Sequence, residues 1–321
     1  MGEYVRISAV VITRNEEQNV ANCLESVFEV GGSHLHEVIL VDSNSTDRTV
    51  AIAEEFPVTI ARITDDEYVT PAAGRYVGGR LADGEYVLFV DGDVELTEGW
   101  LEEALEQFRR GSSVAGISGY LNETPNVTEP HAVNRIKVVM LFRRGILDEE
   151  GGFDPHMKGA EDYELSFRLV QRGYELVKLP TVVAKHPEGN LISNQLRTVS
   201  RGYPYGNGQL IRRFWTSPSV LSAYLWYMRR DLIAVTWLVV GGLSAVLAPV
   251  IAVLWFVLTV VGYVFIGGQK GWTRTALFPI QSVLRIFYLL LGALETPQDE
   301  SSFPGSVVEV SERHILSRSS D

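Results

Sequence analysis

The chain reads as an α/β protein built on a mostly parallel sheet, followed by an apolar helical region. Three observations predict this. Up to about residue 200, short β-branched apolar runs alternate with stretches of helical periodicity, as strands and crossover helices do. The strand candidates are apolar throughout, without alternation, as strands covered on both faces are. From 232 to 268 no residue carries a charge, although a single membrane crossing needs only ~20 apolar residues.

The elements follow in order. "VRISAVVIT" (5–13) is the first strand, and Val20, Leu24, Val27 and Phe28 give the next segment one apolar helical face. "EVILVD" (37–42) is the second strand. "STDRTVAIAEEF" follows as a helix whose start Ser45 or Thr46 caps. "VTIARI" (58–63) is the third strand, and "PAAGRYVGGRLA" is a glycine-weakened helix with Pro71 near its start. "EYVLFVD" (85–91) is the fourth strand. "TEGWLEEALEQFRR" opens with Thr97 and a glutamate at capping distance, then continues as an amphipathic helix. Right-handed crossovers would stack these strands in parallel, with the carboxyl ends along one crevice.

Composition narrows the classes. With 321 residues, 46% hydrophobic, the chain can bury a large core and carry a second unit. A net charge of −12 argues against a nucleic-acid binder, which needs a basic face. The single cysteine, Cys23, excludes an intramolecular disulfide and a multi-cysteine zinc site. The start "MGEYVRISAVVITRNEE" has too short an apolar run for a secretory signal, so the N-terminal domain is expected in the cytoplasm.

The uncharged run has Pro249 near its middle and is nearly twice one span. It predicts a hairpin crossing the membrane twice, over 232–248 and 249–268. Arg229 and Arg230 precede it, and Lys270 and Arg274 follow, which puts both ends in the cytoplasm. A further apolar segment, 276–294, contains Pro279 and Arg285 and is expected to lie in the membrane interface, with a third span as the alternative. The expected organisation is a catalytic domain over 1–215, a membrane region over 216–296, and a polar, flexible tail over 297–321. A very hydrophobic soluble core is the alternative.

The stretch "LFVDGDVEL" (88–96) ends a buried strand on two carboxylates, Asp91 and Asp93. Oxygen donors so spaced can share a hard divalent cation, Mn²⁺ or Mg²⁺, which keeps open positions for phosphate oxygens. Gly92 would permit the sharp turn between them. Asp-Gly-Asp also occurs in ordinary solvated turns. Downstream, Glu161 and Asp162 open a helix with Leu165, Leu169 and Val170 on one face. The helix dipole there favours an ionised Asp162, and an ionised carboxylate at a crevice can act as a general base. An acidic first turn is also common without any such role.

Taken together and in order, these pieces resemble a family 2 glycosyltransferase. "VVITRNEEQNVANCLESV", "VDSNSTDRT", "FVDGDVEL", "GGFDPHMKGAEDYELSFRL" and "VVAKH" each match a family segment. The resemblance covers roughly the first 190–210 residues and implies the GT-A fold, a Rossmann-like nucleotide-sugar-binding domain, here with a transmembrane hairpin behind it. It implies that Thr13, Arg14, Asn15 and Glu16 line the base and ribose, that Asp42 accepts a hydrogen bond from the base, and that Arg75 lies near the diphosphate. It implies further that Asp91 contacts ribose or metal, and that Asp93 and His186 bind the metal. Asp162, beside Glu161, becomes the base that deprotonates the acceptor. The implied donor is a nucleotide sugar, with uridine as the base; the apolar hairpin adds the membrane and a lipid-linked acceptor as expected partners.

The departures from the family are informative. Where an asparagine commonly follows the arginine, the chain has Tyr76. The processive members' Gln-x-x-Arg-Trp is incomplete. Gln209 and Arg212 are present, but Arg213 stands in the Trp position and Trp215 comes two residues late. One sugar per encounter is therefore expected, with "GYPYGNGQ" (202–209) as a loop over the site. Arg197, Arg201, Arg212 and Arg213 could face lipid head groups or a pyrophosphate, or form a solvated basic flank. A polyprenyl phosphate acceptor would arrive already ionised and need no base, so Glu161 and Asp162 favour a hydroxyl. A polyprenyl-phosphate glycosyl synthase is the alternative. A nucleotidyltransferase would want a Gly-rich, Lys-containing loop where "TRNEEQN" stands, and a non-catalytic scaffold need not keep Asp91, Asp93 and Asp162.

Overall fold

The computed structural model describes residues 5–186, 202–270 and 272–316. The chain forms two units: Met1–Asn190 with Gln298–Asp321, and Leu191–Pro297.

In the first unit the parallel strands come where the apolar runs fall: β1 Ile7–Thr13, β2 Leu35–Asp42, β3 Thr59–Ile63 and β4 Tyr86–Asp91. They lie in the order β3-β2-β1-β4. Between them run α1 Val20–Gly31, α2 Thr49–Ala53 and α3 Pro71–Leu81. The sheet then becomes mixed. After β5 (Glu95–Leu96) and α4 (Trp100–Arg110) come β6 (Val114–Leu121), β7 (His131–Val133) and β8 (Met140–Arg143). α5 (Arg144–Glu149), α6 (Glu161–Gln171) and β9 (Glu175–Lys185) follow. β8 is antiparallel to both β4 and β6, β6 runs parallel to β9, and β5 and β7 pair antiparallel to β9.

Both faces are covered, which explains the unbroken apolar strands. Ile7, Ala9 and Val11 of β1 pack with Leu24 and Val27 of α1 and with Trp100 and Phe108 of α4. Val10 faces the other way, to Ala73 and Val77 of α3 and Leu165 and Leu169 of α6. Each such buried side chain contributes ~1.5–3 kcal/mol over leaving it exposed. α3 lies so close to the sheet that a Cβ at Gly78 would sit 2.2 Å from Val10 Cγ1. The glycines that weaken this helix are what let it approach, and Thr70 caps it by accepting from the Ala73 amide at 3.0 Å.

Two expected caps are used elsewhere. Ser45 Oγ accepts from the Asn15 amide and the Thr46 amide donates to Asn15 Oδ1, both at 2.8 Å, so this pair staples two loops together. α2 starts later, where Asp47 Oδ1 accepts from the Thr49 amide at 3.0 Å. Thr97 donates to the Val182 carbonyl, and α4 begins after Gly99 with no side-chain cap.

The expected flexible tail is instead a strand and a clamp through residue 316. β10 (Val308–Val310) adds antiparallel to β3, which was an open edge with unpaired backbone groups. Phe303 packs edge-on against Tyr68 and Tyr76, at 5.4 and 5.5 Å between ring centres.

The second unit is helical. The segment expected as a loop at 202–209 belongs to a helix, α7 (Tyr203–Arg213), with Pro204 near its start. α8 (Pro218–Leu247) and α9 (Pro249–Lys270) divide at Pro249, as proline's missing amide predicts. Trp255 Nε1 donates to the Trp237 carbonyl and Trp237 Nε1 to Thr259 Oγ1, both at 2.9 Å, binding α8 to α9. With α10 (Trp272–Leu294), the described residues include three helices long and apolar enough to cross a membrane: Pro218–Leu247, Pro249–Gly268 and Thr275–Leu294. The first therefore begins well before 232, and the segment expected in the interface is as long as a span. Asp231 on α8 accepts from Ser282 Oγ at 2.7 Å and pairs with Arg285 at 3.1 Å. Arg197 and Arg201 lie outside the described residues.

Candidate functional site

The carboxyl ends of β1, β2 and β4 meet in register: Thr13 opposite Asp42, and Ile12 opposite Asp91. Past β1 the chain turns at Asn15, a left-handed residue with φ 57°, and Arg14 reaches to 3.7 Å from Asp66. The Glu16 amide donates to Thr49 Oγ1 at 2.8 Å, so the loop of 13–16 is fixed against the segment that leaves β2. Asp42 is fully buried. Its Oδ2 accepts from the Ser45 amide at 3.0 Å, while its Oδ1 is buried without a partner. A buried acceptor left unpaired costs ~1–3 kcal/mol, so this atom is poised for a donor.

β4 delivers Asp91. The next residue is a glycine because of crowding and not because of its dihedral freedom: a Cβ at Gly92 would lie 2.4 Å from Thr13 Cγ2. The Gly92 amide donates to the Ile12 carbonyl at 2.9 Å. The turn then presents Asp93, whose Oδ2 lies 3.2 Å from His186 Nε2 at the end of β9. Asn122 holds that end of β9, accepting from the His186 amide at 2.7 Å and donating to its carbonyl at 3.2 Å. Of the three expected metal donors, Asp93 and His186 thus converge, while Asp91 is engaged by Arg75 at 2.5 Å. Among the described residues, no three His, Cys, Asp or Glu side chains are grouped to hold a metal. The pair Asp93 and His186 fits an ion that takes its remaining ligands from phosphate and water, as Mg²⁺-type sites do.

Arg75 is buried on α3. One arm of its fork meets Asp91 and the other meets Glu161 Oε1, also at 2.5 Å. It therefore bridges the end of β4 to the first residue of α6. Ala160, with φ 58°, turns the chain into that helix. Burial pushes Glu161 up to about 7, against the opposing pull of Arg75. Burial also raises Asp162, opposed by Arg135, Arg75 and Lys137. The helix dipole was expected to favour an ionised Asp162; burial acts against it here.

Three residues at the site were not singled out in the sequence. Asn122 belongs to an Asn-Glu-Thr triplet with no catalytic signature, yet it anchors His186. Arg135 and Lys137, in the long segment after β6, are cations whose charge opposes the rise of Asp162. Their signal, two cations in an acidic chain, is visible but not specific.

The arrangement brings a carboxylate–imidazole pair, an unpaired buried acceptor and a second acidic pair of raised pKa to one end of one sheet. Such a site can hold a metal-bound diphosphate and take a proton from a nucleophile.

Residues 8–160 match the model of glycosyl transferase family 2. The chain is similar to glycosyltransferase AglE of Haloferax volcanii, 25% identical over 73% of this chain and 80% of that protein. It is also similar to a dolichyl N-acetyl-alpha-D-glucosaminyl phosphate 3-beta-D-2,3-diacetamido-2,3-dideoxy-beta-D-glucuronosyltransferase of Methanococcus voltae, 21% identical over 64% of this chain and 74% of that one. Among solved structures, the mannosyltransferase PcManGT of Pyrobaculum calidifontis, in complex with GDP-Man and Mn²⁺, superposes with a TM-score of 0.68. It is 19% identical, over 92% of this chain and 89% of that one, a likeness of fold.

Proposed function

We propose that this chain, which belongs to glycosyl transferase family 2 and has the GT-A fold, moves one sugar from a UDP-sugar to a hydroxyl of a lipid-linked saccharide at the cytoplasmic face of a membrane, with inversion. The observation that carries this reading is the Arg75 fork. It ties Asp91, on the donor side, to Glu161, on the acceptor side, in one crevice.

The donor side is read from Thr13, Arg14, Asn15 and Glu16, which form a fixed loop for base and ribose. The unpaired Asp42 Oδ1 accepts an N–H from the base, and uridine is taken from the family resemblance. Asp93 and His186 would hold Mn²⁺ or Mg²⁺, with Asp91 beside them; a bound cation supplies charge neutralisation to the departing diphosphate. Arg75 orients Asp91 and adds positive charge behind the phosphates.

On the acceptor side, Asp162 is the base. The acceptor oxygen attacks the anomeric carbon from the face opposite the nucleotide, and its proton passes to Asp162. The bond from that carbon to the diphosphate oxygen breaks, and the electron pair leaves with the nucleotide. A carboxylate raised by burial is a stronger base than an exposed one, which suits a neutral hydroxyl. A polyprenyl phosphate would be ionised already and would leave Asp162 without a task. The three apolar helices support a lipid-borne acceptor. The names of the Methanococcus relative and of PcManGT support a lipid-linked acceptor and a nucleotide-sugar donor with a divalent cation, respectively. The incomplete Gln-x-x-Arg-Trp supports one sugar per encounter.

The test is to incubate membranes containing the chain with a panel of labelled nucleotide sugars and Mn²⁺, and to identify the labelled lipid. Label on a saccharide hydroxyl supports the reading. Label on a polyprenyl monophosphate, or none from any donor, overturns it.

A further inference from the structure

We propose that Arg135, Lys137 and Lys178 form a binding site for an anionic group, a phosphate or a carboxylate, that the acceptor carries beside its reacting hydroxyl. The inference rests on the assignment of Asp162 to the acceptor side.

Backbone contacts gather the three cations. The loop of 135–137 is held between β6 and α6: Ser118 Oγ donates to the Lys137 carbonyl at 3.4 Å, and the Ile136 amide donates to Ser166 Oγ at 3.3 Å. Ser118 is also the register partner of Lys178 on β9, so Lys137 and Lys178 flank the same residue of β6. Arg135 lies over the ring of Tyr163, at 3.8 Å from its centre, and Tyr163 follows Asp162 directly. Lys178 lies over Tyr120 at 3.6 Å. Aromatic faces thus position two of the cations while leaving their N–H groups free for a ligand.

Among the described residues none of the three makes a close ion pair, although Arg135 and Lys137 both act electrostatically on Asp162. Arg135 and Lys178 are half-buried, where a positive charge without a close hydrogen-bonded partner is costly. Lys178 is pushed down by its burial and by Lys137 and Arg135, as expected for a cation crowded by like charges. The chain is also strained here. Val138, directly after Lys137, has φ 66°, a left-handed conformation that a β-branched residue rarely adopts. Strain of this kind persists where the surroundings hold a residue for use. A bound anion would complete the cluster, fix the acceptor against Asp162 and discriminate against neutral saccharides.

The test uses the full chain in detergent with its nucleotide site filled by UDP and Mn²⁺. Methyl phosphate and glucuronate, separate probes for the two anion classes, are titrated by calorimetry. One of them is expected to bind at one site per chain. Lys178→Gln and Lys137→Gln are each expected to weaken it ~10-fold, the size of one lost charge-assisted contact. Retained UDP affinity checks that the variants are folded. Equal binding by wild type and both variants overturns the site, as does binding that UDP abolishes, which would assign the cations to the nucleotide. Hydrolysis of a nucleotide sugar is measured on the same preparation. Hydrolysis without probe binding sinks the anion site and leaves the glycosyltransferase reading intact. Probe binding without hydrolysis of any donor removes the assignment to an acceptor.

Discussion

Arg75 Nη1 lies 2.5 Å from Glu161 Oε1, joining α3 to the first turn of α6 across 86 residues of sequence. Its other arm holds Asp91, so one planar fork sets the spacing of two carboxylates that arrive on different elements. A lysine has one ammonium point in place of the fork and cannot serve both. Arg75→Lys is therefore expected to keep the fold and lose ~10–100-fold in kcat/KM, the cost of one hydrogen bond to a charged group. Initial rates and a melting curve check this; an unchanged kcat/KM would detach Arg75 from the site.

Asp162→Asn removes the proton acceptor and keeps the shape. The expectation is a ~10²–10⁴-fold fall in kcat with UDP affinity nearly unchanged. Single-turnover rates with saturating donor separate the two. Unaltered turnover would remove the general-base assignment.

Asp93→Ala leaves His186 without the carboxylate 3.2 Å away. Nucleotide binding should lose its dependence on Mn²⁺, with little change in binding measured without the metal. Calorimetry on the wild type gives the control. Equal UDP affinity with and without Mn²⁺ in the unmutated chain would be evidence against a metal at this pair.

The parallel half of the sheet, and the places where β1, β2 and β4 end, were legible because local pattern decides them. A strand buried on both faces is apolar along its length, and Asp42 and Asp91 mark where such runs end. The mixed half was not. β8 spans four residues and takes its place between β4 and β6 by pairings of long sequence separation, which no local periodicity announces. The strand at 308–310 is shorter still, and its partner lies some 250 residues earlier. The site was read in the same uneven way. Its carboxylates could be named from motifs, but the raised pKa of Asp162 depends on how deeply α6 is buried. Arg135, Lys137 and Asn122 matter only through what the fold sets beside them.

The pH dependence follows from that burial. The base acts when deprotonated, so kcat/KM rises with pH through the acidic limb. Burial raises both Asp162 and Glu161, the latter to about 7, and two adjacent groups titrate as a pair with shared apparent values. The limb is therefore expected above the ordinary carboxylate range. A profile flat down to about pH 4, the ordinary carboxylate value, would contradict the buried pair. Asp162→Asn should lower the limb for any residual activity, because Glu161 loses its like-charged neighbour.

Arg313 makes the clearest test of the C-terminal clamp. Glu37 is fully buried on β2, where Ser8 Oγ donates to it at 2.7 Å and the Asp83 amide at 2.8 Å. Its cationic partner is Arg313, at 3.1 Å from Oε2. Arg313→Ala leaves a buried carboxylate without its counter-ion, but the arginine is half exposed, so water screens part of the pair. The expected loss is ~1–3 kcal/mol, below the value for a fully buried pair. In a domain of this size that lowers the melting temperature by roughly 2–4 °C per kcal/mol. Glu37→Gln in the Arg313→Ala background should restore part of the loss, because no charge is then left buried. Additive losses in the double variant would mean that the two side chains act independently and that the clamp rests on β10 alone.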